Sequence, residues 1–175
     1  MNFDEVMTAL EQAGSEQTSK TYRRHGAKDP MFGVNCAVQI KLAKPLRAAQ
    51  YRAKWIDLKH EWQCSAGWRL VAHAALENSL PQAEALALLE RIERDIHTAP
   101  NGVKESMNGA LIAIALVDKE CEAKTLAAAR RIGKVMVDHG DTSCKTPDAE
   151  SYIIKCVEHR AKQASKRAEK RVAKC

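Results

Sequence analysis

Aromatic residues are scarce in this chain: two phenylalanines, three tyrosines and three tryptophans in 175 residues. No alternation of β-branched and polar residues lasts more than a few positions, so a sheet has little to be built from. Ala, Leu and Ile are plentiful instead, and the two facts together predict an all-α chain. No apolar run approaches the ~20 residues that a membrane span needs. The opening MNFDEVM lacks the basic-then-apolar form of a secretory signal, so the expected compartment is the cytoplasm. Cys36, Cys64, Cys121, Cys144, Cys156 and Cys175 are scattered with no C-x-x-C among them. That is the usage of reduced thiols packing as small core residues, and with such spacing no metal and no cofactor is expected.

What is present is length and positive charge. A chain of this length makes one domain with a real core. Lys and Arg outnumber Asp and Glu by 28 to 22, a formal net charge of +6, which favours an anionic partner such as nucleic acid.

Helix follows helix along the chain. Asn2 and Glu5 suit an N-cap pair ahead of the stripe Phe3, Val6, Met7 and Leu10, which stops at Gly14. Ser15 can cap a second helix that runs to Gly26 and ends in Lys20, Arg23, Arg24 and His25, with Lys28 just beyond. Those cations complement a helix C-terminus or meet phosphate, and both readings stay open. Val34, Val38 and Leu42 carry a third helix to Lys44-Pro45. Leu46 to Leu76 holds Tyr51, Trp55, Trp62 and Trp68, residues that more often fill helix interfaces than stack on a base. From Pro81, the positions Ala85, Leu88, Leu89, Ile92 and Ile96 share one face. Val103 to Val117 is apolar nearly all round, which predicts a buried central rod. Asn108 and Gly109 in its middle allow close packing or a buried polar contact. Lys119 to Val137 reads as a further helix.

The stretch Asp138-His139-Gly140-Asp141-Thr142-Ser143-Cys144-Lys145 gathers His, Cys and two carboxylates. These groups are able in principle to bind a metal or build a Cys-His nucleophile. Paired zinc-type spacing is missing, however, and a tight interhelical turn uses Asp, Ser and Thr to satisfy its own backbone. The turn reading is the stronger. Thr146 as N-cap with Pro147 at the first helical position then starts the last helix. Beyond Arg160 its apolar side shrinks to Ala161, Ala164, Ala168 and Val172 while cations accumulate. The expected division is therefore a helical-repeat domain over 1–158 and a basic tail over 159–175. Successive helix pairs with short turns suggest a HEAT-like α-α solenoid, although no clean internal repeat is visible.

Several blocks resemble the DNA alkylation repair family, the AlkD-like HEAT-repeat proteins. They are Arg24 to Val34 (RHGAKDPMFGV), Ser65-Ala66-Gly67-Trp68, His97-Thr98-Ala99-Pro100-Asn101 and Met107-Asn108-Gly109. The most specific is the run from Ile132 through Asp138-His139-Gly140-Asp141-Thr142-Ser143-Cys144-Lys145-Thr146-Pro147. In the family's order they span residues 1 to about 160. The resemblance implies an α-α superhelix holding duplex DNA, including alkylated DNA, by its backbone. Some members excise N3- or N7-alkylated purines, with a carboxylate and aromatic faces stabilising an oxocarbenium-like transition state.

One departure matters. Between Leu46 and about Gln50 the family chain continues for one to two further repeats of about 40–47 residues, which carry its catalytic acid and aromatic wall. Relative to the family this solenoid is shortened, and no catalytic residue carries over. Three functions follow: a DNA-binding member with excision lost or weak; an active glycosylase rebuilt around Trp55, Asp57, Trp62 and Trp68; or a protein-interaction scaffold. The candidate DNA contacts are Arg23, Arg24, Lys28, Lys104, Arg131, Lys134 and Lys145, with Lys162, Lys166 and Arg167 in the tail.

Overall fold

The structure, a computed structural model, describes residues 45–140 and 143–172. Among them are six α-helices and no strand: α1 Pro45–Trp55, α2 Glu61–Leu76, α3 Gln82–Asp95, α4 Asn101–Ile114, α5 Lys119–Ile132 and α6 Ala149–Val172. The three helices expected before Pro45 lie outside the described residues, as do Arg23, Arg24, Lys28, Asp141 and Thr142.

The helices form two layers. Each of α1, α3 and α5 packs on the helix that follows it, while α2 stacks on α4, α3 on α5 and α4 on α6. That is the pattern of stacked α-α repeats, in which no helix pair can bury its apolar face alone. α4 touches α2, α3, α5 and α6, so the all-round apolar helix is the central rod, as its composition predicts. Trp68, Val71, Ile92, Ile96, Leu111, Ile114 and Ile153 are fully buried around it.

Local chemistry explains the ends. α2 stops in a Schellman arrangement: Ser79 N donates to the Ala74 carbonyl at 2.9 Å, Asn78 N to Ala75 at 3.3 Å, and Asn78 takes the left-handed conformation with φ 54°. Asp118 caps α5, its Oδ1 accepting from Cys121 N at 2.8 Å. Two boundaries differ from the sequence expectation. α5 ends at Ile132, not Val137, because Gly133 turns left-handed with φ 64°. Beyond it Val135 is buried while Lys134 and Met136 are exposed, the alternation of extended chain and not of a helix. At the start of α6 the cap is Asp148, not Thr146: Asp148 Oδ1 accepts from Ser151 N at 2.9 Å.

Ion pairs tie the helices together away from the core. Arg52 of α1 is 5% exposed and binds Glu84 of α3 through two hydrogen bonds of 2.9 and 2.8 Å. Glu93 of α3 accepts two bonds from Arg131 of α5. Among the described helices none is long and apolar enough to cross a membrane.

Two glycines in neighbouring helices have opposite roles. A Cβ on Gly67 of α2 would stand 2.6 Å from Ile56 N and 2.9 Å from the Trp55 carbonyl carbon, backbone that cannot yield, whereas one on Gly109 of α4 meets nothing within 4 Å. Gly67→Ala is expected to destabilise by about 1–3 kcal/mol or more through overpacking. Gly109→Ala is expected to stabilise by roughly 0.5–1 kcal/mol, because a mid-helix glycine costs that much in chain entropy. Urea unfolding midpoints of the two variants check both signs.

The caps also set an acid limit. The backbone N–H of Cys121 holds the Asp118 carboxyl below its usual range, and that of Ser151 does the same for Asp148. A carboxyl depressed in the folded state stabilises above its unfolded pKa of about 3.9 and loses that contribution as pH falls through the folded value. The expected result is a stability loss that sets in below about pH 4. It should be shallower in an Asp118→Asn, Asp148→Asn double variant, which keeps the caps but cannot titrate there; denaturation followed from pH 7 to pH 2 measures it.

Candidate functional site

A cleft of about 290 Å³ opens between α2, α4 and the segment that follows α5. α2 presents Glu61, Trp62, Ser65 and Arg69 to it, spaced so that one helical face carries them all. α4 contributes its first turn, Asn101, Gly102 and Glu105, and the segment contributes Val137, Asp138, His139 and Cys144.

Long-range hydrogen bonds build the walls. Glu61 Oε1 accepts from Gly102 N at 2.6 Å, placing a carboxylate on the positive end of the α4 dipole. Asn101 grips the backbone of Asp138 from both sides: its Oδ1 accepts from Asp138 N at 2.8 Å, and its Nδ2 donates to the Asp138 carbonyl. The Asp138 carboxylate in turn accepts from Gly140 N at 2.8 Å, where φ is 58°. The Thr146 hydroxyl donates to Glu105 Oε2 at 2.6 Å and sits 2.9 Å from His139 Nε2. With the hydroxyl proton committed to Glu105, the imidazole is the donor, so the chain runs His139 to Thr146 to Glu105. Arg69 Nε reaches Ser106 Oγ at 3.4 Å, and that hydroxyl donates to the Gly102 carbonyl at 3.0 Å. Buried Asn108 donates to the Pro147 carbonyl at 3.0 Å, the polar contact that its place in the rod allows.

The residues singled out in the sequence are distributed unevenly. His139, Asp138 and Cys144 come together at the cleft, in structural bonds of the turn for the first two. Of Trp55, Asp57, Trp62 and Trp68, only Trp62 lines it. Trp55 and Trp68 are 3% and 0% exposed, and Asp57 is held by Arg91 at 2.6 Å. Lys134 and Lys145 are exposed on the segment beside the cleft, and Lys104 is half-buried in the first turn of α4. Arg131 is held by Glu93 at the α3–α5 stack. Lys162 and Lys166 are exposed on α6; the side chain of Arg167 lies outside the described set. Glu61, Arg69, Glu105 and Thr146 escape sequence reasoning as site residues. The one hint is that Trp62, Ser65 and Arg69 recur on one side of a helix.

A second recess, of about 360 Å³, separates α6 from the α4–α5 corner and is walled by Leu116, Val157, Ala161 and Ala164. Its charges are engaged: Lys119 pairs with Glu122 at 2.7 Å, and Arg160 donates to the Leu116 carbonyl at 2.6 Å. It is the apolar seat of α6.

No family model matches the chain. Over 108 residues it is 38% identical to an uncharacterized protein of Listeria innocua and 36% identical to one of Listeria monocytogenes, each match covering 62% of this chain and 46% of the relative. The chain thus spans less than half the length of these curated relatives. A solved structure, described as a new family of proteins related to the HEAT-like repeat DNA glycosylases with affinity for branched DNA structures, superposes with a TM-score of 0.60. The superposition covers 91% of this chain and 95% of that one at 20% identity. The fold is a HEAT-like helical repeat.

The turn's chemistry sorts into structural and dispensable parts. Asp138→Ala removes the acceptor for Gly140 N and is expected to destabilise by about 1 kcal/mol. Cys144→Ser at an exposed position is expected to leave the melting temperature unchanged. Thermal melts of both variants check the pair.

Proposed function

We propose that this chain is a cytoplasmic DNA-binding protein related to the HEAT-like repeat DNA glycosylases. It holds duplex DNA, alkylated DNA included, through the phosphates, with base excision lost or weak. The observation that carries this reading is a cationic stripe on α6. Lys155, His159, Lys162 and Lys166 follow at i, i+4, i+7 and i+11, so they share one side of the helix, and all four are exposed. α6 runs unbroken from Ala149 to Val172, and everything from Glu158 to Lys166 is exposed. The tail beyond 158 is then an arm on the last helix, about 1.5 Å per residue in length, that lays positive charge along a phosphate backbone. The fold neighbour's affinity for branched DNA supports the choice of ligand. Lys104, Lys134 and Lys145 near the cleft are the further contacts proposed, and Arg131 in its ion pair contributes less.

The cleft supports the second half of the reading. Among the described residues, each carboxylate that lines it already accepts a hydrogen bond from the protein: Glu61 from Gly102, Glu105 from Thr146, Asp138 from Gly140. Excision of an alkylpurine needs a carboxylate directed at the sugar, and these three are spent on architecture.

Fluorescence anisotropy with a labelled duplex is expected to show affinity falling linearly in log-log form with salt. Each phosphate contact contributes about 0.9 to that slope, so replacing Lys155, Lys162 and Lys166 with Ala should flatten it by up to roughly 3 and weaken all sequences alike. Salt-independent binding, or none, overturns the DNA reading. A single-turnover assay on methylated duplex is expected to release no base above the buffer control.

A further inference from the structure

We propose that α6 carries a site for single-stranded DNA, on which bases stack against Tyr152 and His159 while the phosphates of the same strand lie on Lys155, Lys162 and Lys166. This rests on the DNA-binding reading above and adds a second form of DNA to it.

The side of α6 that holds the cationic stripe resolves into two rows. Tyr152, His159 and Gln163 follow at i, i+7 and i+11, and Lys155, Lys162 and Lys166 repeat the same spacing three residues later. At 3.6 residues per turn both rows run along the axis, roughly 60° apart. Each ring or amide is therefore followed at i+3 by a lysine on the neighbouring strip of surface. The pairing occurs three times over about 21 Å of helix, and all six residues are exposed.

Tyr152 decides what the first row is for. It is 47% exposed, whereas Ala149 and Ile153 in the same part of α6 are 2% and 0% exposed. Among the described residues no hydrogen bond or ring contact engages its side chain. An aromatic ring set on the outside of a charged helix forgoes burial. Beside a row of cations it makes the combination that single-strand binders use, charge along the backbone and a flat face for a base. His159 supplies a second ring. Its Nε2 lies 3.3 Å from the Gln163 amide nitrogen, an edge contact that ties it to the next member of its row.

Charge across the helix orients the strand. Glu158 and Glu169 are exposed on the far flank of the lysine row from Tyr152. Phosphates are drawn to the lysines and turned away from that acidic flank, so the strand is pressed towards the rings. A duplex cannot use the first row, because its bases are stacked within and it presents phosphates alone. A single strand offers phosphate and base face together. Every base has a flat face, so stacking here selects the unpaired strand and not a sequence.

The test titrates the full chain, by fluorescence anisotropy, with a labelled oligothymidine and with a labelled duplex of equal length. Tyr152→Ala is expected to weaken oligothymidine binding about 5- to 150-fold, the range of one base–aromatic stack. It should leave duplex affinity and the melting temperature unchanged. Tyr152→Phe should bind both DNAs as the unmodified protein does, and replacing Lys155, Lys162 and Lys166 with Ala should weaken both. If the duplex binds and oligothymidine does not, or if the Tyr152→Ala loss is absent or equal on the two DNAs, the inference is overturned while the duplex reading stands. A Tyr152→Phe variant as weak as Tyr152→Ala also overturns it, because the hydroxyl and not the ring face would then be the contact. Binding of oligothymidine alone, lost in Tyr152→Ala, upholds the inference and overturns the duplex reading. Binding of neither DNA overturns both.

Discussion

Everything at the cleft depends on how closely α2 is seated. Gly67 lies where any side chain would strike the backbone at the end of α1, and the residues around it, Cys64, Ser65 and Ala66, are small and buried. Small side chains let helix axes approach, and an approach that close puts the polar first turn of α2 beside the N-terminus of α4. Only there can Glu61 reach Gly102 N. The same constraint recurs one residue on: a Cβ at Gly102 would stand 3.0 Å from Glu61 Oε1 and 3.3 Å from Ser65 Oγ. One packing decision thus fixes a capping carboxylate, a cleft wall and the exposure of Trp62.

Charge is divided between structure and surface in a way that the net total hides. Arg52, Arg91, Arg130 and Arg131 all hold carboxylates of other elements: Glu84, Asp57, Glu150 and Glu93. Their forked donors suit bidentate pairing, and holding two helices in register is what such pairing does well. Lys155, Lys162 and Lys166 of α6 are exposed instead, on a helix that beyond Val157 has left the core. Arginine staples the repeats, and lysine is the residue presented outward.

That division also explains what could be read from the chain in advance. The helices α3 and α4 announced themselves, since their burial follows apolar spacing alone: Ala85, Leu88, Leu89 and Ile92 in one, nearly every side in the other. The end of α5 did not. Val135, Met136 and Val137 continue an apolar run, and what stops the helix is the left-handed conformation of Gly133, one residue against four. At α6, Thr146-Pro147 has the form of a helix start. Asp148 lies closer to the free N–H of Ser151 and takes the cap, and the Thr146 hydroxyl goes instead to Glu105. The cleft was legible only in part. His139 and Trp62 stood out by residue type, whereas Glu61, Glu105 and Arg69 acquire meaning from partners 37 to 41 residues away. The Glu93 partner of Arg131 is hidden from the sequence for the same reason, lying 38 residues back.

The segment Gly133 to Asp148 is where these threads meet. Its described residues, 133–140 and 143–148, have no helix to satisfy their backbone, and partners come from α4: Asn101 takes both backbone groups of Asp138, Asn108 takes the Pro147 carbonyl, and Glu105 takes Thr146. A single helical face, repeating at 101, 105 and 108, thus ties down both described parts of an irregular connection. This accounts for the carboxylate of Asp138 and for the imidazole in the stretch that looks catalytic. Asp138 closes the turn at Gly140, and His139 is the outer link of a chain anchored on α4. Removing these bonds would leave buried Asn108 without its partner and free the course of the chain. The polar residues of this turn are the means by which a helical repeat carries an irregular wall, and that wall closes one side of the cleft.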